Sequence, residues 1–380
     1  MRLIAVPFAL AILLMVLVDA FEALVLPRRA MRKFRPARMY YRGTWRMWRG
    51  AADRFLRGAM RQHFLSWYGP FSLFGLFASW AVTLIFGFGM LQWAINAPLG
   101  TANELPTFSA CLYLSGETFF TLGYGDLSPT TWTGRFLSVF ESGVGFGFMA
   151  VVIGYLPVLY QAFSRRERDI ALLDARAGSP PTAGEMIRRF ATTGTITQIE
   201  PLLGEWERWA AELLESQLSF PVLAFYRSQH DNQNWLAGLA VILDTCAVLL
   251  GNFPDVNRHQ LQITFAMARH AAVDLALIFH TNQPTKLGDR LSSERYLKFL
   301  HELHGTGPRV DCSEASLARV RELRQMYEPF LEALSRYFEF SLPPIIAEGN
   351  PIDNWQRSPW QKQSPGIGAL PSIRPEDHFA

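Results

Sequence analysis

Three long apolar runs dominate the first 163 residues. Leu3 to Leu26, Phe71 to Trp93 and Phe136 to Phe163 each hold enough apolar residues to cross a hydrocarbon layer of ~30 Å at helical rise. The pattern predicts three membrane-spanning helices. The link between the second and third, Asn96 to Arg135, contains "FSACLYLSGETFF", which is apolar enough to re-enter the membrane. It leads directly into "TLGYGDLSP", where two glycines, a tyrosine and an aspartate stand at a depth that lipid does not tolerate. Irregular backbone survives there only when it is buried in protein or lines water. A pore or cavity is therefore expected.

From Asp169 onward the pattern changes to helices with one apolar face. "TITQIEPLLGEWERWAAELLESQL" opens with Thr197 as an N-cap, and similar periodicity runs over Asn234 to Leu250, His259 to Phe279, Ser292 to His304 and Ser313 to Phe340. Asn234 to Gly251 is nearly apolar enough for a span. It is slightly short, includes Asp244 and lacks basic flanks, so it reads as a buried core helix. No alternation of strand and helix occurs, and "GVGFGF" (143–148) lies inside the third apolar run and not in a nucleotide loop. The fold class is an all-α membrane protein. Its organisation reads as an N-terminal helix (1–27), a basic amphipathic interfacial segment (28–66), a pore domain (67–164), a helical cytoplasmic domain (165–342) and a Pro-rich tail (343–380) in which Trp355 and Trp360 stand as anchors.

Charge fixes the topology. Pro27 to Gln62 carries twelve Lys/Arg and one acid, Asp53, a balance of +11 that leaves −8 for the rest of a chain whose net charge is +3. Wedged between two spans, such a block reads as a cytoplasmic flank and not as a nucleic-acid site. Arg57/Arg61 and Arg165/Arg166 mark the cytoplasmic ends of the second and third spans. The N-terminus is then outside, and the protein is a multi-pass component of the cell (inner) membrane with its C-terminal domain in the cytoplasm. Tyr41, Trp45, Trp48, Ala52, Phe55 and Ala59 recur at helical spacing among the arginines, as in a helix lying in the headgroup layer or packed on another protein surface. Asp19 and Glu22, near the end of the first run, are expected to pair with Arg28 or Arg29, with a functional role as intramembrane acids the alternative.

Hydrophobic residues make up 49% of the chain, too few for a protein embedded throughout. Cys111, Cys246 and Cys312 are far apart without metal-type spacing, so neither a disulfide framework nor a zinc site is indicated. No nucleophile with a base and no H-E-x-x-H helix occurs, so no enzyme and no cofactor is proposed.

In "TLGYGD" the chemistry is that of the main chain. Gly123 and Gly125 allow backbone angles that a Cβ forbids, so the carbonyls of Thr121, Leu122, Gly123 and Tyr124 can face one axis. Four such strands would supply rings of oxygens in place of a cation's water. One copy per chain puts the axis between subunits, which requires a homotetramer.

Helix, re-entrant helix, T-x-G-Y-G-D and helix, over about Phe71 to Phe163, resemble the pore domain of the potassium channel family. The resemblance implies a tetrameric two-helix plus re-entrant pore-loop channel, here with an extra N-terminal transmembrane helix and an all-α cytoplasmic C-terminal domain. It implies K+ as the permeant ion at Thr121, Leu122, Gly123, Tyr124 and Gly125. The family's small two-helix bacterial member has an aromatic, a serine and Glu-Thr before its filter, as Tyr113, Ser115, Glu117 and Thr118 do here. Carried over, Glu117 and Asp126 would form a carboxylate pair behind the filter, sharing one proton, with Tyr113 steadying the aspartate. The alternative is that Glu117 bonds filter amides. The chain departs from the family at Phe120, often threonine and here a bulkier wall, and at Leu122, where valine is usual.

The third span carries Gly145 where a hinge glycine is expected, with Gly143 and Gly147 beside it. Pro157 removes a hydrogen bond to Ile153 and should kink the helix, which places a gate near Gly154 to Pro157, although glycines also serve close packing. Glu141 would either line the cavity and attract cations or bond a neighbouring helix.

The cytoplasmic domain has no sensor fingerprint but could bias the pore through a ligand not identifiable from sequence. "FYRSQHDNQNW" gathers His230, Asp231, Asn232, Gln233 and Asn234, either a ligand site or a polar connection, and His301 and His304 read as a solvated face. Potassium conduction gated by this domain is the expected function. The alternative is a membrane-anchored sensor or scaffold with a weakly conducting pore; a transporter subunit would carry four linked pore repeats where this chain has one.

Overall fold

A computed structural model describes residues 2–24, 35–100, 106–228, 233–282, 284, 288–304 and 308–347. The chain divides into two units, Met1–Gln161 and Ala162–Ala380. The protein is an all-α membrane protein: the described residues form helices, two 3-10 turns and one isolated β-bridge.

The first unit holds α1 (Arg2–Leu24), α2 (Pro36–Phe55), α3 (Gly58–Ser66), α4 (Tyr68–Ala94), α5 (Phe108–Phe119) and the start of α6 (Trp132–Ala177). α1 lies along α4, and Gly87 sets their approach, because a Cβ there would stand 2.8 Å from the Leu13 side chain. Asp19 on α1 is buried and accepts the Ala37 amide and the Trp80 Nε1–H, each at 3.0 Å. The pairing of Asp19 with Arg28 or Arg29 falls on residues outside those described. The orphan amides at the start of α2 need an acceptor, and Arg35, the residue ahead of that helix, provides no cap. Glu22 faces Arg35 at 3.9 Å, while Arg28 and Arg29 lie outside the described residues. The aromatic face of α2 meets protein: Trp45 packs on Tyr68 and Trp48 stacks on Phe64 at 4.5 Å. Phe55 is exposed and does not share that contact.

The second unit holds the end of α6, α7 (Ala183–Thr192), α8 (Glu200–Ser219), α9 (Trp235–Asn252), α10 (Arg258–Ile278), α11 (Ser293–His304), α12 (Glu314–Gln325) and α13 (Glu328–Phe338). Five helical stretches of the described chain are long and apolar enough to cross a membrane, α9 and α10 among them. α9, however, is sheathed by its neighbours over all but Gly251, as a core helix should be. Its Asp244 is met by Arg290 through two bonds of 2.9 and 3.0 Å and by the Tyr327 hydroxyl at 2.6 Å. Arg290 also reaches Glu328 at 3.2 Å and the Pro343 carbonyl at 3.0 Å. Phe338 gathers Phe225, Trp235, Phe279 and Phe340 around it.

Three boundaries differ from expectation. The third apolar helix does not stop at Phe163 but continues to Ala177 as one helix through Pro157. Arg166, expected as part of a positive flank, is buried and donates to the carbonyls of Leu223 and Tyr226, both at 2.8 Å. Thr197 lies inside the 3-10 turn Ile196–Ile199, and α8 begins three residues later at Glu200, with Pro201 in its first turn. The periodic stretch 313–340 is two helices, because Pro329 opens α13 and lacks the amide that would continue α12.

Candidate functional site

α5 is started by the Thr107 hydroxyl, which accepts the Ala110 amide at 3.3 Å, and it ends at Phe120. The next residues form an extended segment with a regular alternation: Thr121 (φ +55°), Gly123 (φ +66°) and Gly125 (φ +78°) are left-handed, while Leu122 and Tyr124 between them are not. The glycines take this conformation freely. Thr121, with its Cβ, does so at a cost of about 1–3 kcal/mol, which places strain at the first ring of the expected filter.

Two of the segment's amides are held by one residue. The Glu117 carbonyl accepts the Leu122 N–H at 2.9 Å, and the Glu117 carboxylate accepts the Gly125 N–H at 3.1 Å. In a trans peptide the carbonyl points opposite to the following N–H. The carbonyls of Thr121 and Tyr124 are therefore turned away from α5, toward the side that one protomer leaves open. All of Thr121 to Asp126 is exposed in the single chain, Tyr124 to 71%. Two neutral carbonyl oxygens of the segment thus face open space as acceptors.

Tyr113 of α5 has both Asp126 and Glu117 as acidic neighbours. The side chain of Glu117, the acid on α5, serves a filter amide. Phe120 is half exposed in the single chain and stands edge-on to Phe119 at 5.4 Å. The turn beyond is pinned by Gly100 N–H to the Ser128 carbonyl at 3.0 Å, Thr130 N–H to the Pro98 carbonyl at 3.1 Å and Arg135 Nε–H to the Pro129 carbonyl at 3.1 Å.

On α6, Gly145 packs directly on the Phe119 carbonyl, where any Cβ would clash with backbone. Gly143, Gly147 and Gly154 have open space at the Cβ position. Glu141 does not line a cavity. It is wholly buried within one protomer and hydrogen-bonds Ser115 of α5. One turn earlier, Ser138 accepts from Gln92 of α4 at 3.1 Å.

Of the C-terminal polar cluster, His230, Asp231 and Asn232 lie outside the described residues. Gln233 is buried, and Asn234 caps α9 by accepting the Ala237 amide at 2.7 Å. His301 and His304 are exposed on α11. Among the described residues no group of three or more His, Cys, Asp or Glu is arranged to hold a metal, and the three cysteines are free. Sequence reasoning missed the left-handed Thr121, for which no local signal exists, and the Ser115 contact of Glu141, for which the isolated acid in an apolar run was half a signal.

Residues 74–161 match the family described as ion channel, which takes in α4 from Phe74, α5, the extended segment and α6 to Gln161. The chain is 23% identical over 154 residues to the uncharacterized membrane protein YdjJ of Bacillus subtilis, covering 40% of this chain and 44% of that one. It is 32% identical over 84 residues to protein LctB of Geobacillus stearothermophilus and 31% to that of Bacillus caldotenax, covering 20% of this chain and 62% of each. It thus spans less than two thirds of the length of these relatives. No solved structure matches. The stretch from Phe74 to Gln161 is an ion-channel pore domain in a multi-pass membrane protein.

Proposed function

We propose that this pore domain conducts potassium, with Thr121, Leu122, Gly123, Tyr124 and Gly125 as the filter of a homotetramer. The observation that carries the reading is the alternation of left-handed residues at 121, 123 and 125 together with the two amides tied back to Glu117. Potassium enters as substrate: it exchanges water for carbonyl oxygens turned away from α5, and neutral oxygens let it leave again. Tyr113, Glu117 and Asp126 support the filter from behind.

The assembly of four is supported by exposure. In the single chain α6 leaves Phe136, Val139, Phe146, Ile153 and Tyr160 uncovered, more apolar surface than a soluble monomer would show. Neighbouring subunits and lipid would cover it. The arginines of α2 favour the anionic headgroups of an inner leaflet: Arg38 is held below its ordinary range, first by burial and then by the charges of Arg35 and Arg42. The N-terminus is then outside and the C-terminal unit in the cytoplasm of a cell-membrane protein. That unit would bias opening through α6, whose Arg166 is fixed in it, in response to a ligand whose site would lie among the helices beyond Ala162.

The test is potassium flux into liposomes holding the purified protein, with sodium and Tyr124→Ala in parallel. Potassium-selective flux lost in the variant is the expected result. No flux in the wild type across pH and calcium would favour a sensor or scaffold built on a silent pore.

A further inference from the structure

Glu141 of α6 and Ser115 of α5 are both fully buried, and Ser115 Oγ also lies 2.7 Å from the Ile85 carbonyl of α4. Three elements therefore meet at one hydroxyl. A serine hydroxyl has a single proton to donate. If Glu141 were a carboxylate, it and the Ile85 carbonyl would both be acceptors competing for that proton, and one close oxygen pair would be left without a hydrogen between them. With a proton on Glu141 the count closes: Glu141 donates to Ser115, and Ser115 donates to Ile85.

Two further observations agree with this count. The second oxygen of Glu141 is buried without a hydrogen-bond partner, a small penalty for the carbonyl of a neutral acid and a large one for half of a carboxylate. Among the described residues no compensating cation acts on it. α4 has no charged residue between Tyr68 and Ala94, and the acid of α5, Glu117, is engaged with Gly125. The basic residue of α6 nearest in sequence, Arg135, donates to Pro129.

We propose that Glu141, as a neutral acid, is a positioning residue for the filter: through Ser115 it locks α6 and α4 onto α5, two residues before the Glu117 that holds Gly125. Gly145, one turn further along α6, lets the helix sit against the Phe119 carbonyl at the end of the same α5 turn. The lock acts on backbone geometry through α5 and touches no ion. It rests on the reading of residues 121–125 as a filter.

The experiment compares wild type, Glu141→Gln, Glu141→Leu and Ser115→Ala in the liposome assay, reading the potassium-to-sodium flux ratio, with infrared spectra of each in the same membranes. Gln can donate to Ser115 as a neutral acid does. Its flux ratio should stay within about twofold of wild type, whereas Leu and Ala should lower the ratio about tenfold or more, the loss expected when a buried hydrogen-bonded link worth about 1.5 kcal/mol is removed. The carbonyl stretch of a protonated carboxylic acid should be present in wild type and absent from Glu141→Gln. A Gln variant as impaired as Leu, or no acid band in the wild type, overturns the neutral acid. A Leu variant that keeps full selectivity overturns the positioning role. A wild type that passes neither ion refutes the channel reading instead; the infrared band and a lower melting temperature of Leu than of Gln then decide the lock on their own.

Discussion

The carboxylate of Glu117 accepts the amide proton of Gly125 at 3.1 Å across eight residues of chain, while its own carbonyl takes the Leu122 amide. One residue thus fixes both ends of the expected filter. Glu117→Ala should speed the loss of conduction during sustained opening while leaving the potassium preference of the open pore intact. A charge-assisted bond of about 1.5–3 kcal/mol corresponds to roughly a 10- to 100-fold shift toward the collapsed state. Glu117→Gln, which keeps an acceptor oxygen, should fall between. Single-channel records in planar bilayers check this.

Gly145 and its neighbours separate a hinge from a contact. Gly145→Ala should disrupt folding or assembly, since the new methyl meets the Phe119 backbone. Gly143→Ala and Gly147→Ala find open space and should be neutral or stabilising by up to about 1 kcal/mol, the gain of Ala over Gly in a helix. If Gly154→Ala, equally free of steric conflict, changes open probability, flexibility near Pro157 is what gating uses. Expression level, melting temperature and open probability of the four variants sort these roles.

Arg166→Ala should leave the carbonyls of Leu223 and Tyr226 without their donor and loosen α6 from the 3-10 turn Pro221–Phe225. The expected outcome is a pore that keeps its selectivity but alters its open probability at least severalfold. A variant indistinguishable from wild type in flux would remove this arginine from gating.

Asp244→Ala should destabilise the C-terminal unit by about 3–5 kcal/mol, because Arg290 would be left as a buried charge with only Glu328 to answer it. Replacing both residues by apolar ones of similar size should recover most of the loss. Thermal melting followed by tryptophan fluorescence reads both.

The same unit should be lost at high pH. Burial pushes Tyr226 up to about 12 and also raises Tyr296 and Tyr327, the last further through the Asp244 carboxylate. A raised value means the folded state holds the phenolic proton more tightly than the unfolded chain. The stabilisation is therefore complete below about pH 10 and is lost as pH rises through the folded values. Phenolate absorbance of these tyrosines should appear together with unfolding and not before it.

The pore architecture was legible because lipid imposes a strong constraint: apolar runs must span, and "TLGYGD" at that depth must line something. α9 was legible for a similar reason, its apolar run being interrupted by an Asp244 that only a buried partner could satisfy. The contacts of Asp19 were not legible, since its acceptor role depends on Ala37 and Trp80, 18 and 61 residues away, and no local pattern announces such a pairing. The length of α6 was missed because helix continues past the apolar run on the strength of packing by Ile170 and Leu173, which periodicity within a charged stretch hides. Thr121 shows the limit most plainly: a β-branched residue is a poor guess for left-handed backbone, and only the bonds made by Glu117 and the end of α5 hold it there.

The Asp19 carboxylate has a consequence for where this protein can be cut. The stretch that matches the ion-channel family begins at Phe74, yet Trp80 within it donates to an acid on α1, outside that stretch. A shortened chain starting after Leu24 would bury the Trp80 indole and the Ala37 amide with no acceptor for either. The stretch matched by the family is therefore smaller than the unit that folds, and α1 is a structural debt of the pore it accompanies.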